Sequence, residues 1–276
     1  MKITSRLVVP PDLAAKARAR WQELGGSASA IQPGNDRVQL TFQIGDRDSR
    51  DGRFLADLAR ELGASPDGRV AWTLHAIYDN ADINKAELLL LEVGSLYDAV
   101  DQKSLTPGGK CPRCGLPRNR EPVEGRVRLV GPELDAWDFF SAELLFFVRA
   151  PLADELRGFR GVRLTKALSP KEAGTMFWLT GSSSLGYSVD DVQWGPPCPT
   201  CGRRKGTSPE QFIMNMESYP RAAWDGSDVV VSALYPNGLF VTQSVWKIVS
   251  DKRWRVPEAG VQARPIHLVD SAEPVK

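Results

Sequence analysis

The stretch Cys111-Pro112-Arg113-Cys114-Gly115 returns as Cys198-Pro199-Thr200-Cys201-Gly202, displaced by 87 residues. These are the only 4 cysteines of the 276-residue chain. A Cys-x-x-Cys turn lets two sulfurs from one bend reach a common metal, and thiolates suit Zn2+, which takes four ligands tetrahedrally. The glycine after each second cysteine lets the backbone curl toward the sulfurs with positive φ. One such motif is a weak signal; two that use every cysteine are a strong one. Cys111, Cys114, Cys198 and Cys201 are therefore expected to share one zinc ion, with redox pairs, disulfides or a metal-free relic as the alternatives. Four thiolates leave no open coordination position, so that zinc is structural rather than catalytic.

Outward from the cysteines, the same displacement superimposes other residues without gaps. Gly94 falls on Gly181, Ser95 on Ser182, Gly108 on Gly195, Pro122 on Pro209, and Ala136-Trp137-Asp138 on Ala223-Trp224-Asp225. With 8 tryptophans in the chain, a Trp-Asp pair in register argues against coincidence. With gaps the match continues: Leu145-Phe146-Phe147 resembles Leu239-Phe240-Val241, each before an amphipathic helix. Leu152, Leu156 and Phe159 form one apolar face, and Val245, Trp246 and Val249 the other. Each copy closes on a Gly-Val strand, from Gly161 and from Gly260. Two repeats, 84–170 and 171–276, are thus predicted, each running strand, knuckle, Trp-Asp segment, strand, helix, strand. Packed about a pseudo-twofold axis, they would bring one knuckle from each to a single metal, which accounts for the long gap between Cys114 and Cys198.

Residues 1–80 read differently. Residues 3–9 alternate like a strand, and Pro11 then suits the first turn of a helix carrying Leu13, Ala17, Trp21 and Leu24, closed by Gly25-Gly26. Residues 37–44 alternate again, 53–62 have helical spacing, and 69–78 form a third strand. The charged stretch 45–52 (GDRDSRDG) reads as an exposed loop. The expected fold is α+β: an N-terminal ferredoxin-like α/β sandwich over 1–80, then two tandem zinc-knuckle β/α repeats sharing one four-cysteine zinc site.

Hydrophobic residues at 42% and charged residues at 25% match a globular protein with a real core. A net charge of +1 supplies no global field toward nucleic acid or anionic membrane. No apolar run approaches a membrane span or signal peptide; the expected place is the cytoplasm, where paired cysteines favour metal over disulfide. Only two histidines, His75 and His267, are present, which leaves little for acid–base chemistry near neutral pH. Neither heads the His-x-Glu of a zinc deaminase. The stretch Gly181-Ser-Ser-Ser-Leu-Gly186 misses the nucleophile-elbow pattern, because Leu185 stands where glycine is needed. Asp190-Asp191 reads as a solvated loop pair, and no catalytic residues are assigned. Basic residues gather near the knuckles: Lys110, Arg113, Arg118 and Arg120, then Arg203, Arg204 and Lys205. They could grip phosphates, but without interleaved aromatics they read first as charge compensation for a zinc centre with four thiolates.

Cys111-Pro-Arg-Cys-Gly115, Pro197-Cys-Pro-Thr-Cys-Gly-Arg203 and the tail from Trp224-Asp225 through 239–248 (LFVTQSVWKI) to 260–266 (GVQARPI) resemble a bacterial family named for its double CxxCG motif. Its members are immunity proteins of contact-dependent, swarm-inhibition toxin systems. The resemblance covers about residues 85–270 and does not extend to 1–80. It implies a non-enzymatic protein that neutralises a cognate protein toxin by binding it. The alternatives are a nucleic-acid-associated zinc protein using the basic rims, and an adaptor subunit of a larger assembly. The sequence leaves the oligomeric state open.

Overall fold

The computed structural model describes residues 2–23, 30–33, 38–44, 50–63, 71–116, 120–131, 133–170, 174–189, 193–207, 213–214, 217–233 and 238–270. The chain is mixed α+β, mostly sheet with few helices. It divides into two compact units: Met1–Asp82 with Ser208–Met216, and Ile83–Thr207 with Glu217–Lys276.

The first unit runs β1 (Lys2–Val9), α1 (Pro11–Gln22), β2 (Ala30–Pro33), β3 (Val38–Ile44), α2 (Arg50–Glu61) and β4 (Ala71–Ile77). Alternation along β1 and β3 puts Leu7, Val9, Leu40 and Phe42 on one buried face. Helical spacing sends Ala14, Ala17 and Trp21 of α1, and Leu55, Leu58 and Ala59 of α2, into the same cluster. The Trp21 and Phe42 rings lie 4.9 Å apart at its centre. Two expectations need correcting. Residues 50–52 of the stretch read as a loop already belong to α2, whose helix begins one turn before Phe54; residues 45–49, like the helix end expected at 24–26, lie outside the described residues. The sequence reading also missed β2, which is short and ends on Pro33, as an edge strand can. The sheet order is β13-β4-β1-β3-β2, where β13 is Ile213–Met214. A strand from far along the chain thus lies parallel to β4, Met214 opposite His75, so this unit is not confined to residues 1–80.

The second unit holds β5 (Leu88–Val93), β6 (Phe139–Ala142), β7 (Leu145–Arg149), α4 (Ala150–Leu156) and β8 (Val162–Lys166); α3 (Asn80–Lys85) leads into it. After these come β9 (Met176–Gly181), β10 (Ser183–Ser184), β11 (Gln193–Pro197), β12 (Arg204–Thr207), β14 (Ser218–Pro220), β15 (Val229–Val231), β16 (Phe240–Thr242), α5 (Gln243–Val249) and β17 (Val261–Val269). One sheet has the order β6-β7-β9-β8 and another β10-β15-β16-β5-β17-β14. The inner part of the second, β15-β16-β5-β17, repeats the first strand for strand, every neighbour antiparallel. Phe147 faces Trp178 as Phe240 faces Leu90, and Val162 faces Gly181 as Val261 faces Val93.

In each of these four-stranded sets three strands come from one half of the chain and the fourth from the other. β5 of the first half sits between β16 and β17, and β9 of the second between β7 and β8. The stretches 84–170 and 171–276 are therefore not separate bodies: they exchange their opening strands. β5 is buried on both faces, as its run of four leucines demands. Leu89 and Leu91 point to a cluster shared by both sheets and both helices. Leu88 and Leu90 join Tyr219, Val230 and Phe240 on the far face. In that shared cluster Leu152 and Leu156 of α4 are matched by Val245 and Val249 of α5, the two apolar faces read from the sequence.

Register also refines the gapless alignment. The Gly94 N–H donates to the Gly260 carbonyl, and its counterpart by strand pairing is Ser182, whose N–H donates to the Gly161 carbonyl. Gly94 and Gly181 are thus one position out of step, whereas the cysteines keep the 87-residue displacement.

Candidate metal centre

Leaving β5, the chain passes from one sheet to the edge of the other: Ser95 bridges Ser141 of β6 in parallel. Leaving β9, it makes the reciprocal crossing, and β10 pairs in parallel with β15. Each crossing is followed by one cysteine turn, Cys111–Cys114 after Ser95 and Cys198–Cys201 after β10.

The two turns are built alike. In the first, the Gly115 N–H donates to the Cys111 carbonyl at 2.9 Å and the Cys111 N–H to the Leu116 carbonyl at 2.8 Å. In the second, Gly202 donates to Cys198 at 2.7 Å and Cys198 to Arg203 at 2.8 Å. Gly115 and Gly202 have φ of 72° and 69°, as the expected curl requires. A Cβ at either would meet nothing within 4 Å, so it is conformation and not space that selects glycine.

All four Sγ atoms lie within 4.8 Å of one another. Across the two turns Cys111 and Cys198 are 3.9 Å apart, and Cys114 and Cys201 3.6 Å. Four sulfurs at a Zn–S distance of about 2.3 Å stand about 3.8 Å apart along the edges of a tetrahedron. The cluster therefore has the size of a four-sulfur cage for one ion. Cys111 and Cys198 are buried, while Cys114 and Cys201 are half-exposed.

The backbone is arranged for anionic sulfur. The N–H groups of Cys114 and Arg113 bond the Cys111 sulfur and lower its pKa to about 6. The Cys198 thiol is lowered in the same way by the N–H groups of Thr200 and Cys201. Cys201 moves the other way, to about 11: the Arg203 N–H favours its thiolate, but burial and three neighbouring sulfurs outweigh that donor. Four thiols this close cannot all ionise unaided, and a dication at their centre would remove the conflict.

Arg120 ion-pairs with Glu143 at 3.2 Å. Arg204 lies over the Tyr187 ring, and its guanidinium donates to the Gly195 carbonyl at 3.4 Å. Lys110, Arg113 and Lys205 have no ion pair among the described residues, and Arg118 and Asp190-Asp191 lie outside them. His75 lies in β4 of the other unit and His267 in β17. The Ser183 hydroxyl bonds Asp225 at 3.4 Å.

The sequence reading missed a second reciprocal contact. The Asp138 carbonyl accepts the N–H of Arg149 at the entry to α4, as Asp228, not Asp225, accepts that of Thr242 at the entry to α5. Asp138 N–H donates to the Arg255 carbonyl and its carboxylate binds the Arg255 guanidinium at 2.9 Å. Asp228 N–H donates to the Arg160 carbonyl, and its carboxylate accepts the Arg160 N–H at 3.0 Å. Each half thus grips the helix-to-strand link of the other. Bonding to Arg255 holds the Asp138 carboxyl below the ordinary carboxylate range, helped by Arg149. The Trp-Asp pair marked the place, but the extra residues 225–227 moved the second aspartate beyond a gapless match.

Among the described residues no helix is long and apolar enough to cross a membrane. No protein-family model matches the chain, and no curated protein is significantly similar to it.

Proposed function

We propose that the chain is a non-enzymatic binding protein whose frame is pinned by one structural Zn2+ on Cys111, Cys114, Cys198 and Cys201. The observation that carries this reading is the sulfur cage, formed by one turn from each of the two crossings between sheets. A metal there ties together segments that enter different sheets and has no vacant position for substrate. The ferredoxin-like reading of the first unit rests on the β4-β1-β3-β2 order with both helices packed on one buried face. The reading of two zinc-knuckle repeats rests on the shared strand order and the matching turns.

The partner follows from the resemblance to double-CxxCG immunity proteins: a cognate toxin, bound stoichiometrically. Tight inhibition needs a surface that is already ordered, because ordering loops on association weakens binding. Exchanged strands and a central metal supply such a surface. The nucleic-acid alternative is weakened by Arg120 and Arg204, whose charged ends serve internal contacts. The test is co-expression with the product of the neighbouring gene if that product is toxic alone. Restored growth and a 1:1 complex on size exclusion are expected; arrest with no complex overturns the reading in favour of an adaptor subunit.

A further inference from the structure

The halves differ most where they should have matched. The link from α4 to β8 is short, 157–161, whereas that from α5 to β17 runs over 250–260 and carries Pro257-Glu258-Ala259 as additional chain. Conversely, Asp225-Gly226-Ser227 is inserted after Trp224 and has no equivalent after Trp137. In the second half those residues fold back, and the Trp224 indole N–H donates to the Ser227 carbonyl at 2.9 Å. The buried Trp137 indole nitrogen has no partner among the described residues. Trp137 lines an open groove of about 660 Å³ walled by the longer link.

The chemistry of this groove is one-sided. Glu92, Glu133 and Glu258 line it, and no lysine or arginine does. Glu92 is engaged by Arg264 at 2.7 Å, but the carboxylates of Glu133 and Glu258 have no partner among the described residues. Tyr97, also lining it, is 91% exposed and leaves its ring open to solvent. A ring and two carboxylates lining one groove suit a guanidinium or ammonium group, which can stack on the ring or pair with the oxygens.

We infer that this groove is where a partner protein docks, through a loop bearing arginine or lysine that lies across Tyr97 between Glu133 and Glu258. The inference rests on the binding-protein reading above and names the surface that does the binding. Its test uses the full-length, zinc-loaded chain with hexa-arginine and hexa-glutamate peptides as probes, followed by fluorescence anisotropy. Tyr97→Ala and the double variant Glu133→Gln/Glu258→Gln, all surface changes, are compared with the parent. The parent should bind hexa-arginine and not hexa-glutamate, and each variant should weaken binding by about fivefold or more, with metal content and melting temperature unchanged. Equal binding by parent and variants, or no binding of hexa-arginine by the parent, overturns the inference. Co-expression separates the two readings. Variants that protect as well as the parent sink the groove and leave the function standing. A parent that protects against nothing sinks the function, and the peptides still decide the groove.

Discussion

Cys114 and Cys201 stand at the half-exposed edge of the cage, one on each turn. If the four sulfurs serve one ion, losing either should cost the same, because the remaining three ligands are equivalent by symmetry. Cys114→Ser and Cys201→Ser are expected to destabilise equally, by several kcal/mol, since structural zinc binding is folding free energy. Elemental analysis should give one zinc per parent chain, and two per chain would rule out the shared site. Asp138 offers a second residue-scale test. Its pKa is lowered in the folded state, so its contribution is full above the unfolded value of about 4 and is lost as pH falls through the folded one. Asp138→Asn should cost about 2 kcal/mol at pH 7, and its melting temperature should converge on that of the parent as pH drops below about 4. Asp225→Asn should cost less, because Asp225 is exposed and meets Arg160 of the other half's link only at 4.0 Å.

At the level of elements, what the sequence disclosed and what it withheld divide along physical lines. The two cysteine turns were legible because a Cys-x-x-Cys-Gly turn fixes residue type and spacing locally. Both short helices were legible from apolar periodicity, and β5 from four consecutive leucines. Strand partners were not: a strand buried on both faces looks the same between β16 and β17 as it would between β7 and β8, since the pattern records burial and not the neighbour. β2 and β13 escaped because four and two residues are too few to show a period. The glycines at element ends offer a test of the packing itself. At Gly161, φ is 86° and an added Cβ would sit 2.4 Å from the Val229 carbonyl oxygen and 2.8 Å from the Ser227 Cβ. Gly161→Ala should therefore cost about 2–4 kcal/mol, combining backbone strain with overpacking at the reciprocal grip. Gly115→Ala, strained but unobstructed, should cost about 1–2 kcal/mol; urea unfolding of both proteins measures the difference.

For the whole molecule, the exchanged strands mean that the sequence midpoint is not a structural boundary. Proteolytic cleavage within residues 171–173, between β8 and β9, should leave two fragments that co-migrate on size exclusion and keep their zinc. Fragments that separate without denaturant would show that β5 and β9 are not held as described. A fragment of residues 1–82, by contrast, lacks β13 and should leave β4 as an open edge, a template for pairing with other chains. The exchange has a further consequence for abundance. A half-length chain running from β5 to β8 would have nowhere to seat its own first strand and would need a second copy to receive it. Such a species would fall apart on dilution, its metal held only as long as two molecules stayed together. Covalent joining makes that encounter intramolecular, at an effective concentration in the millimolar range. The full chain can therefore fold to completion at concentrations where half-length chains would stay apart.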